Sequence, residues 1–225
     1  MNNTHDPIII RQNAYSFLAG LFLLEPNLEN IVEVQRLLNS FLSEDEQLEQ
    51  LITEPEEVDD LSQEYYDLFF VPSSGTYIPP FESTLKNYNP KKKKPYGRLF
   101  DKEALEVQAY YEAVGFVPWE LDIFPPLKSI KFPDHIGYEL AFMSLLCANE
   151  RACGENGDKA AQWRNLQHQF LSEHLGKWIG NFARALEHNT EGFYQKAGIA
   201  ARNWVCDDLE HLAETVIQSK GDLLQ

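Results

Sequence analysis

Basic side chains are scarce in this sequence. Its 225 residues include 19 lysines and arginines against 35 aspartates and glutamates, which gives a formal net charge of -16. Binding to nucleic-acid phosphates requires clustered lysines and arginines, so the charge balance argues against a nucleic-acid partner. The same acidic excess favours solubility and the attraction of cationic partners.

Cysteines are few as well, and their spacing does not indicate disulfide pairs. Cys147, Cys153 and Cys206 are an odd set, so we predict no disulfide framework and a reducing compartment. The first residues show no basic segment followed by an apolar run and a cleavage site, so no export signal is predicted. The apolar run at residues 14–24 is too short to cross a bilayer. We therefore expect a cytoplasmic protein without stable membrane insertion.

Sequence signatures of enzymes are missing. There is no glycine-rich phosphate loop, no Gly-x-Ser-x-Gly elbow and no pair of histidines four residues apart. Asp208 and His211 lie one helical turn apart, but a two-metal bundle would need further inward glutamates and Glu-x-x-His sets, and none is found. We predict no catalytic residue, no metal and no cofactor, and whether a nucleotide binds stays open.

Strand patterns are also missing, because no stretch alternates apolar and polar residues between hairpin turns. Apolar residues recur at spacings of three and four, which predicts helices. Helix starts are predicted at Asp6-Pro7, Asn27, Ser43, Pro55, Leu99, Pro133, Asp158, Trp178 and Thr190, with helix ends before Pro26 and at Gly176. The pattern predicts an all-α fold of roughly eight to ten helices. We expect a single domain over residues 1–225.

A long loop at residues 71–98 interrupts the helical pattern. Five prolines and two glycines disfavour regular structure there. Loops of this length inside a domain are often functional, and a hinge is expected here if the protein has one. A monomer and a domain-swapped dimer both stay open. Lys91, Lys92, Lys93 and Lys94 form a basic run in the loop, and we interpret it as a solvated tip.

The helix before this loop carries an aromatic face. Leu61, Tyr65, Leu68 and Phe69 fall on one stripe. Core packing is the plainest interpretation for Leu61 and Leu68, whereas Tyr65 and Phe69 are expected to line a groove. The aromatic end of the stripe adjoins the sequence Pro79-Pro80-Phe81-Glu82-Ser83. Prolines beside aromatics form a rigid surface that binds peptides at low entropic cost, and Glu82 would add a charge at the rim of that surface.

A second stretch, Pro133-Asp134-His135, precedes another helix. Asp134 lies at or near the predicted N-cap, where it would stabilise the helix by roughly 1 kcal/mol. It could also offer a carboxylate to a cationic ligand, with His135 beside it. The alternative is a helical enzyme that uses Asp134 and His135 as an acid–base pair or metal site. Adjacent residues on a helix do not face each other, which disfavours a direct relay between them.

The ordered set Tyr65-x-x-Leu68-Phe69, Pro79-Pro80-Phe81-x-Ser83 and Pro133-Asp134-His135 resembles the TorD/DmsD-type chaperones, with the NarJ group alongside. The resemblance implies an all-α cytoplasmic chaperone that is not an enzyme. Such proteins bind the twin-arginine signal peptide of an apo-molybdoenzyme, such as a DMSO- or TMAO-reductase-like protein, and hold back its export until the molybdopterin cofactor is inserted. The implied peptide-binding residues are Tyr65, Leu68, Phe69, Pro80, Phe81, Asp134 and His135. The lysine run is not part of the resemblance.

Overall fold

The computed structural model describes residues 6–154 and 156–222, with side chains as far as Thr215. The helices are α1 (Pro7–Leu23), α2 (Ile31–Asn39), α3 (Pro55–Phe69), α4 (Glu82–Leu85), α5 (Lys102–Val114), α6 (Pro125–Ser129), α7 (Ile136–Ala152), α8 (Gly157–Phe170), α9 (Gly176–Asn189) and α10 (Phe193–Asp222). No β-strand forms in the described part of the chain, so the prediction of an all-α fold is confirmed. Within the same ranges no helix is both long and apolar enough to cross a membrane.

Helices α1 and α7 form the central pair of the fold, packing along each other through buried apolar faces. The side chain of Asp6 caps α1 and Pro7 occupies its first position, as the sequence predicts. The helix ends at Leu23, ahead of Pro26, also as predicted. Gly137 permits the close approach of the pair, because a Cβ at this position would overlap the side chain of Leu23.

The prediction that a helix ends at Gly176 is wrong. Residues 157–189 form one continuous helical rod, in which a π-helical turn at Leu171–Leu175 links α8 to α9. Gly176 has a φ of -65°, within the right-handed helical region. A Cβ there would lie 2.6 Å from the carbonyl oxygen of Leu171 and 3.1 Å from Leu209 Cδ2. Close packing, and not helix termination, accounts for this glycine.

The acidic helix predicted from Ser43 does not form either. Residues 43–54 are turns and irregular chain held against α2 by side-chain hydrogen bonds. The Ile52 amide donates to Gln35 Oε1 at 2.8 Å, and Gln35 Nε2 donates to the Ile52 carbonyl at 2.9 Å. The Leu48 amide donates to Asn39 Oδ1 at 2.9 Å. These hydrogen bonds give backbone groups of residues 48 and 52 a partner without helical turns. Side-chain amides compete with secondary structure in this way.

A buried polar network joins α1, α7, α8 and α10. Arg11 donates from Nε and Nη2 to the two carboxylate oxygens of Asp208, at 2.6 and 3.0 Å. Arg11 also donates to Gln167 Oε1 at 2.6 Å, and Gln167 Nε2 donates to Glu150 Oε2 at 2.8 Å. From the sequence, Asp208 and His211 were weak candidates for a metal site. In the structure, Asp208 is the counter-ion of Arg11 in the core.

The loop at residues 71–98 is less irregular than its prolines predict, because it contains the four-residue helix α4. The next helix, α5, begins at Lys102 and not at Leu99. The backbone of Phe100 has a φ of 55°, in the left-handed region, which interrupts the helical pattern before Lys102. That the chain is a single domain with a hinge in this loop stays a prediction.

Candidate functional site

The aromatic end of α3 lies in the core. Tyr65 donates from its hydroxyl to the Phe22 carbonyl at 3.1 Å and is fully buried. Leu68 is buried as well, and its carbonyl accepts the Ile78 amide at 2.8 Å. Phe69 packs edge-on against Phe22 with ring centroids 6.1 Å apart. Tyr65 and Phe69 therefore contact α1, and Leu68 binds the loop that follows α3, although the resemblance assigns all three to peptide binding.

The two distant stretches of the sequence do come together. The Ile136 amide donates to the Pro80 carbonyl at 3.0 Å, and the Glu82 amide donates to the Asp134 carbonyl at 2.9 Å. Between these two hydrogen bonds, Phe81 and His135 form an isolated β-bridge. We call this arrangement the α4 clamp, made of residues 80–83 and 134–136.

Asp134 does not cap its own helix, contrary to the prediction. Its Oδ2 accepts the Ser83 amide at 2.9 Å, so it caps α4 from 51 residues away. The N-cap of α7 is His135, whose Nδ1 accepts the Gly137 amide at 3.1 Å. Burial lowers the pKa of His135 to about 3, so this imidazole is neutral. A neutral ring engaged with its own helix does not form an acid–base pair with Asp134.

Glu82 is buried, not at a rim as predicted. Its Oε2 lies 2.8 Å from His174 Nδ1, and its Oε1 lies 3.7 Å from Lys86 Nζ. The side chain of Glu82 has no solvent exposure, whereas Lys86 remains 24% exposed. The carboxyl group that was predicted at the rim is therefore buried beside His174 and Lys86.

Glu82 and Asp134 belong to a cluster of buried carboxyl groups that also includes Glu139. One oxygen of each of these side chains makes no hydrogen bond within the described part of the chain. Trp178 Nε1 donates to the other oxygen of Glu139 at 3.0 Å. Burial raises the pKa of Asp134, and burial together with the nearby Glu82 raises the pKa of Glu139 well above its ordinary value. Burial therefore makes ionisation of both groups less favourable than it is in water.

Glu139 and His174, which also lie in this cluster, were not predicted from the sequence. Glu139 stands inside the apolar run Ile136-Gly137-Tyr138-Glu139-Leu140, where a charged residue is out of place on a buried helix. That irregularity was the available signal for Glu139. His174 lies in the π-helical turn and is 3% exposed, and no local pattern indicates it.

An open groove of about 1030 Å³ lies between α1, α2, α3 and the segment at residues 122–125. Its apolar lining includes Phe17, Leu21, Leu24, Leu28, Ile31 and Phe124. Leu24 and Leu28 are 49% and 47% exposed, so the groove presents two large apolar side chains to solvent. We call this feature the α1–α2 groove.

The α1–α2 groove is acidic as well as apolar. Glu25, Asp59 and Asp122 are exposed and line it, and no lysine, arginine or histidine is among the described residues that do so. Glu25 accepts a hydrogen bond from the Tyr66 hydroxyl. Asp122 lies 3.9 Å from the partly exposed Lys128, a weak surface pair. The arrangement suits a ligand that is apolar along its length and cationic at one end.

The buried residues of α3 support this groove from behind. The ring of Tyr65 contacts Phe124 and stacks on Tyr194, with centroids 5.8 Å away in each case. Both partners line the groove. The structure buries the side chains of Tyr65, Leu68, Phe69 and the α4 clamp. Their direct contact with a peptide stays a prediction.

Comparison with known proteins places this chain in a family. Residues 28–184 match the family described as nitrate reductase delta subunit, which is more than half of the chain. The chain therefore belongs to that family, and its resemblance to TorD/NarJ-type maturation chaperones is confirmed.

Three curated relatives are similar over part of their length. The selenate reductase assembly chaperone protein of Thauera selenatis is 35% identical over 65 residues, which cover 29% of this chain and 34% of that protein. The chlorate reductase assembly chaperone protein of Ideonella dechloratans is 30% identical over 138 residues, or 61% of this chain and 63% of that protein. The chaperone protein TorD of Shewanella pealeana is 34% identical over 80 residues, or 35% and 31%.

The matched regions therefore span less than two thirds of each of these relatives. All three are named as chaperones, a class of protein that is not enzymatic. These names agree with the expectation that the chain is a chaperone and not an enzyme, and they disfavour the alternative that uses Asp134 and His135 in catalysis.

Proposed function

We propose that this protein is a cytoplasmic assembly chaperone that binds the twin-arginine signal peptide of an apo-molybdoenzyme. It holds back export of this client until the molybdopterin cofactor is inserted and the client has folded. The family, and relatives named for the assembly of selenate and chlorate reductases, support this role. The single observation that carries the proposal is the α1–α2 groove.

The chemistry of the groove complements that of the proposed ligand. A signal peptide of this kind begins with a cationic segment and continues into a moderately apolar one. The exposed side chains of Leu24 and Leu28 would take the apolar part. Arginine guanidinium groups prefer carboxylates, and Asp59 and Asp122 present two of them at the groove.

The size of the groove fits a peptide segment. Small-molecule pockets occupy roughly 300–1,000 Å³, and this groove, at about 1030 Å³ and open to solvent, is slightly larger. The net charge of -16 would also speed the encounter with a cationic peptide. No bond is made or broken in this mechanism, because the chaperone acts by occupying the export signal.

Isothermal titration calorimetry with a synthetic twin-arginine signal peptide tests the proposal. We expect binding to the native protein and about tenfold weaker binding to the double variant Asp59→Asn/Asp122→Asn. The matched control is Glu56→Gln/Asp60→Asn, which removes two exposed charges of α3 that lie outside the groove. The control should bind like the native protein.

A second double variant, Asp134→Ala/His135→Ala, separates the groove from the α4 clamp. If it weakens binding at a temperature where circular dichroism shows that it is still folded, and the groove variant binds normally, the peptide site is at the clamp and the groove assignment is wrong. Absence of any binding between the native protein and the peptide would refute the proposed function itself.

A further inference from the structure

The basic charge of this acidic protein is concentrated in one segment. Residues 91–102 hold six of the 19 lysines and arginines, with Asp101 as the one acidic residue in that range. Every one of the six basic side chains is exposed. Lys102 lies 3.9 Å from Glu106, while the four lysines of the run and Arg98 make no ion pair with a described residue. The segment is therefore a cationic surface on a chain of opposite overall charge.

The lysine run lies on an anchored tip. The Asn89 amide donates to the Pro95 carbonyl at 3.0 Å, which closes the loop around residues 90–94. Beneath it, the rings of Tyr88 and Tyr96 stack with centroids 5.4 Å apart. The Gly97 amide then donates to Thr84 of α4 at 2.8 Å. The tip is thus fixed to the body of the protein while its four lysines remain in solvent.

Large apolar side chains stand exposed next to this tip. Leu99, Phe100 and Leu105 are 49%, 44% and 58% exposed. Among the described residues, Phe100 is the one non-glycine residue with a positive φ, a conformation that is unfavourable for a residue with a Cβ. Its ring contacts Phe132 at a centroid distance of 5.4 Å. Leu99 is five residues from Lys94, so the chain places them within about 20 Å of each other.

We propose that this surface, formed by the four lysines, Arg98, Leu99, Phe100 and Leu105, docks reversibly onto anionic phospholipid headgroups. The inference goes beyond the proposed chaperone function and does not depend on it. Exposed lysines beside leucine and phenylalanine are the composition by which proteins lie at a membrane interface without crossing it. The lysines would be attracted to the headgroups, and the apolar side chains would enter the boundary of the acyl region.

The use of lysine favours a lipid surface over a protein partner. Lysine is depleted at protein–protein interfaces, where arginine is preferred for its planar, bidentate contacts. An anionic bilayer needs only point charges near its surface. The remaining acidic residues oppose the approach, but charges farther away than about 8 Å are largely screened at physiological salt. Asp101, Glu103 and Glu106 are acidic residues of the adjoining segment that act against binding.

Co-sedimentation of the full chain with lipid vesicles tests this inference. We expect binding to equimolar phosphatidylcholine and phosphatidylglycerol vesicles, no binding to pure phosphatidylcholine, and loss of binding as salt is raised. Replacing the four lysines at 91–94 with glutamine should lower the partition coefficient at least about tenfold. The matched control replaces four exposed basic residues elsewhere with glutamine, namely Arg36, Arg151, Lys159 and Lys177. That control should bind as the native protein does.

Phe100→Gly tests the apolar contribution separately. Glycine adopts a positive φ without strain, so this variant removes the ring while keeping the fold. It should weaken vesicle binding and leave the melting temperature unchanged or higher. The lipid assignment is overturned if the native protein ignores anionic vesicles at low salt, or if the lysine variant binds them normally. It is also overturned if the native protein binds poly-glutamate or single-stranded RNA through the same lysines but not the vesicles.

Discussion

Asp134 and Ser83 are joined by a 2.9 Å hydrogen bond, in which a carboxylate oxygen at the start of α7 accepts a backbone amide of α4. A short helix is thereby capped by a residue from another part of the chain. Removal of this acceptor would leave the Ser83 amide buried and unpaired.

We predict that Asp134→Ala lowers the free energy of unfolding by about 1–3 kcal/mol. Asp134→Asn should cost less, because an amide oxygen can still accept from Ser83. Urea unfolding measures both values, and hydrogen exchange at the Ser83 amide should be faster in the alanine variant. Asp60→Ala, at an exposed site on α3, is the control and should change stability by less than about 0.5 kcal/mol. Equal stability of Asp134→Ala and the native protein would contradict the capping role.

A second prediction concerns Glu139 and pH. Burial raises the pKa of this carboxyl in the folded state, so the folded protein retains a proton that the unfolded chain has already lost. Stability contributed by this group is therefore present in acid and falls as pH rises above the ordinary value of 4.5. Glu139→Gln keeps the acceptor for Trp178 and cannot ionise.

We expect Glu139→Gln to be more stable than the native protein by at least about 1 kcal/mol at pH 8. Near pH 5 the difference should be much smaller, because the native carboxyl is then protonated in the fold. Urea unfolding at both pH values measures the effect. A difference that is the same at both values would show that ionisation of Glu139 is not the cause.

Two glycines of the α8–α9 rod provide a matched pair for the third prediction. Gly176→Ala should destabilise the protein by roughly 1–3 kcal/mol, because its Cβ would meet the carbonyl oxygen of Leu171 at 2.6 Å. Gly180 lies in the same rod, and a methyl group added to it would have no neighbouring atom within 4 Å. Gly180→Ala should therefore stabilise the helix by about 0.5–1 kcal/mol. Thermal unfolding distinguishes the two, and similar effects would contradict the packing role of Gly176.

The fourth prediction concerns the buried ion pair of Arg11 and Asp208. Arg11→Ala would leave the Asp208 carboxylate buried without its cation, and we expect a loss of about 3–5 kcal/mol in unfolding free energy. Arg36 is the control, since it forms a pair with Glu33 in which both side chains are about two thirds exposed. Arg36→Ala should cost less than about 0.5 kcal/mol. Chemical denaturation gives both values, and a small loss for Arg11→Ala would mean that the network does not hold the four helices together.

Features that depend on neighbouring residues were predictable from the sequence. Apolar spacing gave the helical class, and Asp6, Pro7 and Pro26 marked the ends of α1, because caps and prolines act within one turn. Gly176 misled the prediction because glycine serves both helix termination and close packing. The sequence does not distinguish these two roles of a glycine, because it does not show that Leu209 packs against Gly176.

The candidate site was harder to predict than the fold. The sequence indicated that residues 80–83 belong with Asp134 and His135. It did not indicate the direction in which their side chains point. Asp134 turns toward α4 and not toward its own helix, a choice set by a partner 51 residues away. The α1–α2 groove has walls from α1, α2, α3 and residues 122–125, and no single stretch of sequence carries its pattern.

The capping of α4 by Asp134 also bears on the order in which the chain folds. Isolated helices shorter than about 12 residues are marginal in water, so the four residues of α4 do not form a stable helix alone. During synthesis, α1 and α3 leave the ribosome long before Asp134, and α4 must wait for that residue. Pro80 and Phe81 are therefore expected to remain uncovered in the nascent chain until residues 134–136 have been synthesised and α7 has docked.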